Sequence, residues 1–337
     1  MNKSPTIRDV AARAGVSVSA VSYIMNNSTA KKYAGETIAR VREAAAALGY
    51  RPTNIARGMR SQRSHTVGVV SFWDMSNRVF VQTLEGIMAE STNRGYAVII
   101  CPIALSPIGT AVPDDFSYIR YYTDKRVDGI ILIAPPSLER TIHEETHIAA
   151  LRDAGVPFVV INSMTGGTDF SAIRFDYRAT TILAAETLQA AGHRQIAYVH
   201  PAAIADFEES HLRLEGYLAA VDTPRVLTLE EITPALLRTL GAVVTNKSET
   251  AKYLLDMAID AGITVPDELS VVAANVEHYS EFLHPPLTCV QMPFGEMGHL
   301  AVEMLTDQIN GSRDFRRLTL PCGLTAGRSV KAVGSSK

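Results

Sequence analysis

From Thr66 onward the chain alternates short, unbroken apolar runs with amphipathic stretches, and this pattern restricts the fold more than any other feature. Thr66-Val67-Gly68-Val69-Val70-Ser71 is one such run; others lie at 96–101, 127–133, 157–161, 195–199, 242–245 and 270–274. Between them, residues 80–93, 179–191, 212–221 and 249–261 place apolar side chains at helical spacing. Strands without polar alternation need cover on both faces, the situation of parallel sheets flanked by helices. About 270 residues of this texture exceed one comfortable domain, so two α/β lobes are expected. Ligands of such sheets sit beyond the C-terminal strand ends, here in the cleft between lobes.

The residues before Thr66 have another texture. Thr6-Ile7-Arg8-Asp9-Val10-Ala11-Ala12-Arg13-Ala14-Gly15-Val16-Ser17-Val18-Ser19-Ala20-Val21-Ser22 reads as two short helices joined by a tight turn. Thr6 suits an N-cap with Asp9 three residues on, Ala11 permits a close crossing, and Gly15 supplies the turn conformation. Ser17 caps a second helix, 18–25, that exposes Val18, Ser19, Ser22 and Tyr23 and suits the major groove of DNA. A third helix fits 36–48, with Ile38, Val41, Ala45 and Leu48 on one face and Gly49 as its stop. An all-α helix-turn-helix head at 1–49, a linker at 50–65 and an α/β core at 66–337 are therefore expected.

Charge follows this division. The chain totals −3, yet residues 1–65 hold eleven Lys and Arg against three acids, a surplus of eight positive charges on an otherwise acidic protein. A basic head on an acidic body is the footprint of a phosphate-binding surface. Cys101, Cys289 and Cys322 are far apart, follow no metal or disulfide spacing and sit in or after apolar runs. No apolar run approaches a membrane span, and the N-terminus lacks a signal-peptide core, so a cytoplasmic protein with no membrane partner is expected.

Signals for an enzyme are weak. His143-Glu144-Glu145-Thr146-His147 has the H-E-x-x-H spacing of zinc peptidases, but no third ligand follows at a usual spacing, and Arg140 and Glu145 suit a solvated helix face. There is no phosphate-cradling glycine loop and no serine elbow. Neither catalysis, a cofactor nor a metal is expected. The competing reading is a cytoplasmic solute-binding sensor whose DNA role is secondary. The basic head opposes it.

The head, Tyr50-Arg51-Pro52 with Ala56-Arg57, Val127-Asp128-Gly129-Ile130, the run from Gly192 to Ala197, Val265-Pro266-Asp267-Glu268-Leu269-Ser270 and Pro285-Pro286-Leu287-Thr288 together resemble the lac-repressor/purine-repressor (LacI-type) family of bacterial transcription regulators. The resemblance implies a periplasmic-binding-protein-like core, with a first lobe at 66–163 and 293–322 and a second at 164–292 and 323–337. It also implies a homodimer on a pseudo-palindromic double-stranded DNA operator, acting as a repressor under a small-molecule effector. By position, Val18, Ser19 and Tyr23 would read bases, and Thr6, Ser17, Ser22, Asn26, Tyr50, Asn54 and Arg57 would serve DNA contact. Met59 stands where relatives wedge a leucine into the minor groove from a hinge helix. Tyr23 replaces an arginine common among relatives, which favours thymine methyls over guanine. The effector residues implied are Trp73, Asp74, Asn77, Phe80, Asn162, Arg213, Asn246, Asn275 and Phe294. Two positions often acidic in sugar-binding members are Asn162 and Asn275 here, which favours a neutral or anionic ligand over a plain sugar.

Overall fold

A computed structural model describes residues 5–26, 33–50, 63–72, 78–101, 103, 115–134, 138–163, 165–205, 207–275 and 280–333, with the backbone alone for Asn26, residues 138–143 and Glu281. The chain forms two compact units, Met1–His65 and Thr66–Lys337.

The first unit contains α1 (Ile7–Ala14), α2 (Val18–Asn26) and α3 (Gly35–Leu48). The Thr6 amide and hydroxyl both donate to the Asp9 carboxylate at 2.7 Å, which ties down the start of α1. Gly15 has φ 64°, and the next amide, Val16, turns back to the Ala11 carbonyl at 3.1 Å. A side chain at that position would have to enter the left-handed region. Val10, Ala11, Ala14, Val21, Ile24, Val41, Ala44 and Ala45 meet in the core of this unit.

Among its described residues the second unit holds two six-stranded sheets. Their strands are β1 (Thr66–Ser71), β2 (Ala97–Ile100), β3 (Gly129–Ile133), β4 (Phe158–Ile161), β5 (Ser171–Phe175), β6 (Ala197–His200), β7 (Arg225–Thr228), β8 (Ala242–Thr245), β9 (Ser270–Ala273), β10 (Thr288–Gln291), β11 (Arg317–Leu320) and β12 (Gly323–Thr325). The first lobe has the order β11-β5-β4-β3-β1-β2 and the second β12-β10-β9-β8-β6-β7. All pairings are parallel except β10 with β12. The flanking helices are α4 (Arg78–Asn93), α5 (Ile119–Thr123), α6 (Leu138–Asp153), α7 (Tyr177–Ala190), α8 (Glu208–Ala220), α9 (Pro234–Leu237), α10 (Ser248–Asp260) and α11 (Phe294–Ile309).

One expected boundary is corrected. The first crossing between lobes is expected near 163–164. Instead the chain turns at Gly167 and adds β5 to the first sheet, pairing Val160 with Ala172 in parallel, so the crossing falls after Phe175. Neighbouring parallel strands usually require a helical crossover, and β4 and β5 are joined without one. Later crossings lie between β10 and α11 and between β11 and β12.

Between α4 and α11 the Glu90 side chain, 9% exposed, accepts from Arg94 Nε at 2.5 Å and Asn93 Nδ2 at 3.1 Å, with His299 Nδ1 at 3.3 Å. Arg94 also donates to Thr306 of α11 at 3.0 Å. The hydrogen bonds from Arg94 and then Asn93 hold the Glu90 carboxyl below its ordinary 4.5. A carboxylate depressed in the folded state contributes stability above its unfolded pKa, and that contribution disappears as pH falls through the folded value. Thermal melts from neutral to acidic pH should therefore show wild type losing stability below about 4.5 more steeply than Glu90→Gln. Parallel curves would refute this assignment.

Candidate functional site

In the head, Ser17 Oγ accepts from the Ala20 amide at 3.1 Å and lies 2.9 Å from Ser19 Oγ, so the turn hydroxyl caps α2. Val21 and Ile24 of α2 face the core, while Ser19 and Tyr23 are exposed and Val18 and Ser22 are half-buried. Ser19, Ser22 and Tyr23 share one helical face by their spacing. The Tyr23 ring packs against Tyr33, centroids 5.6 Å apart, which braces it from the segment leading into α3. Tyr33 was not anticipated from the sequence; its signal was only an aromatic in a polar connection. Thr6 is exposed at the start of α1, and Tyr50 packs half-buried on the head core with its amide on the Ala45 carbonyl at 2.9 Å. Only the backbone of Asn26 is described, and Asn54, Arg57, Met59 and the whole hinge helix lie outside the described residues.

In the body, chemistry gathers at the C-terminal ends of the strands. Arg213 of α8 is 2% exposed, and among the described residues its Nε and Nη1 have no hydrogen-bond partner. Its guanidinium stands over the Tyr177 ring, 4.9 Å from the centroid. Tyr177, the first residue of α7, donates its hydroxyl to Asn162 Oδ1 at 3.1 Å. Asn162 directly follows β4 of the first lobe with φ 62°, a left-handed conformation that asparagine tolerates better than most side chains. Thus Asn162 in one lobe and Arg213 in the other meet through a tyrosine that begins the first helix after the crossing.

Asn246 directly follows β8 and is fully buried. Thr250 donates to its Oδ1 at 2.7 Å, and Nδ2 has no partner among the described residues. Tyr198 of β6 is stacked on Tyr217 of α8, centroids 5.2 Å apart, and its buried hydroxyl also has no partner among the described residues. Burial pushes that phenol up to about 12, with the nearby Arg213 charge pulling the other way. Asn275 is buried just beyond β9. Phe294 meets Phe175 edge-on at 5.6 Å, and Phe175 meets Tyr177 at 4.4 Å, so an aromatic chain runs from the first lobe to Arg213. Phe80 belongs to that same buried cluster. Trp73, Asp74 and Asn77 lie outside the described residues. Tyr177 and Tyr198 were not anticipated, because an aromatic beside or inside an apolar strand reads as core.

The helix carrying the H-E-x-x-H run is corrected in one respect. It is not a solvated helix throughout: Glu144 and His147 are buried along with Ile148 and Leu151, while Glu145 is exposed. Positions 144, 147, 148 and 151 form one helical face, and that face packs inward. Ser163 donates to Glu144, and Tyr118 Oη lies 2.8 Å from His147 Nδ1.

Residues 6–53 match the model of bacterial regulatory proteins of the lacI family, and residues 185–330 match the periplasmic binding protein-like domain. The chain is 28% identical over 327 residues to catabolite control protein A of Priestia megaterium, covering 90% of this chain and 92% of that protein. It is 25% identical over 334 residues to the HTH-type transcriptional repressor PurR of Vibrio atlanticus (strain LGP32), covering 93% and 94%. It is 26% identical over 330 residues to the ribose operon repressor of Escherichia coli (strain K12), covering 90% and 93%. The solved lac repressor dimer bound to operator and the anti-inducer ONPF has the same fold, with TM-score 0.72 at 23% identity, covering 98% of this chain and all of that one.

Proposed function

We propose how this chain, which belongs to the lacI family of bacterial regulatory proteins, works as a DNA-binding transcription regulator with an effector-binding core. The observation that carries the reading is one chain holding both a capped helix with Ser19 and Tyr23 on its outer face and a cleft floor of buried, unpartnered polar atoms. Two heads bind the halves of a pseudo-palindromic operator in the cytoplasm. Val18, Ser19 and Tyr23 meet base edges, and Thr6, Ser17, Ser22, Asn26, Tyr50, Asn54 and Arg57 hold the backbone. Met59 wedges the central step. The exposed apolar residues Val81 and Met88 on α4 and Tyr253 and Ile259 on α10 support pairing of two copies.

The effector binds among Asn162, Arg213, Asn246 and Asn275, with Trp73, Asp74, Asn77, Phe80 and Phe294 completing the site. It changes the relation of the lobes through the Asn162–Tyr177–Arg213 contacts. Either sign of control follows if the ligand prefers one lobe arrangement over the other.

The test is fluorescence anisotropy of the full chain on palindromic sites upstream of its own gene. Saturable binding that survives excess random DNA is expected. Tyr23→Ala should weaken specific binding by about 10-fold or more while leaving random-DNA binding unchanged, because a base contact is lost and phosphate contacts are not. Equal losses on both DNAs would remove Tyr23 from base reading. The same assay, run with metabolite fractions, reads the effector. Operator affinity indifferent to every fraction would sink the cleft's regulatory role.

A further inference from the structure

The outer face of α2 offers bases very little polar code for a helix that reads DNA. Before Asn26 at its last position, α2 carries no charged and no amide side chain. Guanine and adenine are recognised in the major groove chiefly by Arg, Lys, Asn or Gln bonding bidentately to their edges. This helix has serine hydroxyls and one aromatic ring instead. Serine bonds to several bases and discriminates weakly. Ser17 Oγ is already engaged with the Ala20 amide and lies against Ser19 Oγ. Among the described residues of the head, Tyr23 is the one large apolar or aromatic side chain that is exposed. Ser19 lies one turn before it on the same face.

One base group suits such a face. Thymine presents a C5-methyl in the major groove, an apolar group that the other three bases lack there. An aromatic ring packed on that methyl gains buried apolar area and dispersion contacts without needing a hydrogen-bond partner. The gain is larger when the ring is held before DNA arrives, since an unrestrained side chain loses rotamer freedom on binding. Tyr33 supplies that restraint. Its ring lies 5.6 Å from that of Tyr23, centroid to centroid, with the planes inclined at 60°, within the range of interacting aromatic pairs. Tyr33 is itself half-buried and packed on the apolar core of the head, so the brace is anchored to the residues that join α1, α2 and α3. We propose that Tyr33 is a positioning residue for base reading: it holds the Tyr23 ring in place against the C5-methyl of a thymine in each operator half-site. The proposal rests on α2 being the DNA-reading helix. It adds the base group that this helix reads and the residue that aims the reader.

The experiment uses the full-length protein. Duplexes that it binds are selected from a random-sequence pool, and each thymine of the recovered site is then replaced by deoxyuridine, which removes only the methyl. Fluorescence anisotropy gives the affinity ratio between each thymine duplex and its uracil counterpart, for wild type, Tyr33→Leu and Tyr33→Phe. Leucine keeps apolar packing on the head core and removes the ring; phenylalanine keeps the ring. In wild type, one thymine position substituted in both half-sites should show a ratio of about 10. Tyr33→Leu should bring that ratio below about 3, while affinity for random DNA and the helix signal in circular dichroism stay at wild-type levels. Tyr33→Phe should retain the wild-type ratio. A residue that merely stabilised the head would weaken thymine and uracil duplexes alike, so an unchanged ratio in Tyr33→Leu overturns the proposal, as does a lost ratio in Tyr33→Phe. Wild-type affinity indifferent to the methyl at every position overturns it too, with the regulator reading intact. Failure of the full chain to select any sequence is the one result that overturns both.

Discussion

Gly216→Ala should cost the protein about 3 kcal/mol, a fall in melting temperature of roughly 5 °C, although it adds a single methyl group. A Cβ at this position would lie 2.2 Å from the Arg178 carbonyl oxygen and 2.5 Å from Thr181 Oγ1, with backbone rather than a flexible side-chain end in the way. The helices α7 and α8 touch there, and Thr181 donates across the junction to the Arg213 carbonyl at 2.6 Å. Gln189 makes a second such link to the Ala220 carbonyl at 2.7 Å. To accept the methyl, α8 must lift from α7, and it carries Arg213 and Tyr217 with it. The variant should therefore also bind the cleft ligand more weakly than its loss of stability alone explains. Leu218→Ala, on the same helix at a side chain 46% exposed, is the control and should be nearly silent. A Gly216→Ala protein that melts within 2 °C of wild type, a shift of about 1 kcal/mol or less, would show that the two helices slide apart freely.

How far the sequence discloses this arrangement depends on where each element sits. Strands β1, β3 and β4 lie inside a sheet and are buried along their length, so their unbroken apolar runs announce them. Strands β7, β11 and β12 are at sheet edges, and half or more of their side chains meet water. Their sequences, such as Arg225-Val226-Leu227-Thr228, carry no run to detect. β5 was missed for a different reason: it is buried, but its exposed Arg174 interrupts the apolar pattern and a glycine pair precedes it. The head was legible because its constraints are local, a cap at Thr6 and a left-handed turn at Gly15, each tied to one residue type.

The cleft was legible only in part, since its geometry is assembled across the chain. Arg213 is pointed to only by the resemblance to the LacI-type family. That Tyr177 would carry the guanidinium, or that Tyr198 would leave a hydroxyl unmatched beside it, depends on how two helices and a sheet meet. The same holds for Glu144 and His147. Their spacing fits both a metal site and an inward helix face, and only the packing partners Ser163 and Tyr118 separate the two.

Val21→Asp should reduce specific operator affinity by about 10³-fold or more while leaving the melting of the body unchanged. Val21 is fully buried in the head core among apolar residues of all three helices. Burying an unpaired carboxylate costs several kcal/mol or forces it to take up a proton. A head of this size has little stability to spare, because a small unit buries too small a share of its surface. The substitution therefore unfolds α1 to α3 rather than deforming them. Circular dichroism should lose a share of helix matching α1 to α3, while the cooperative transition of the Thr66–Lys337 unit persists, since that unit has its own cores. Val21→Ala separates packing from charge. Losing two methyl groups costs about 2 kcal/mol, so its operator affinity should fall between wild type and Val21→Asp and recover on cooling toward the temperature of maximum stability. Operator affinity in Val21→Asp within tenfold of wild type would show that DNA is read by something other than this folded head.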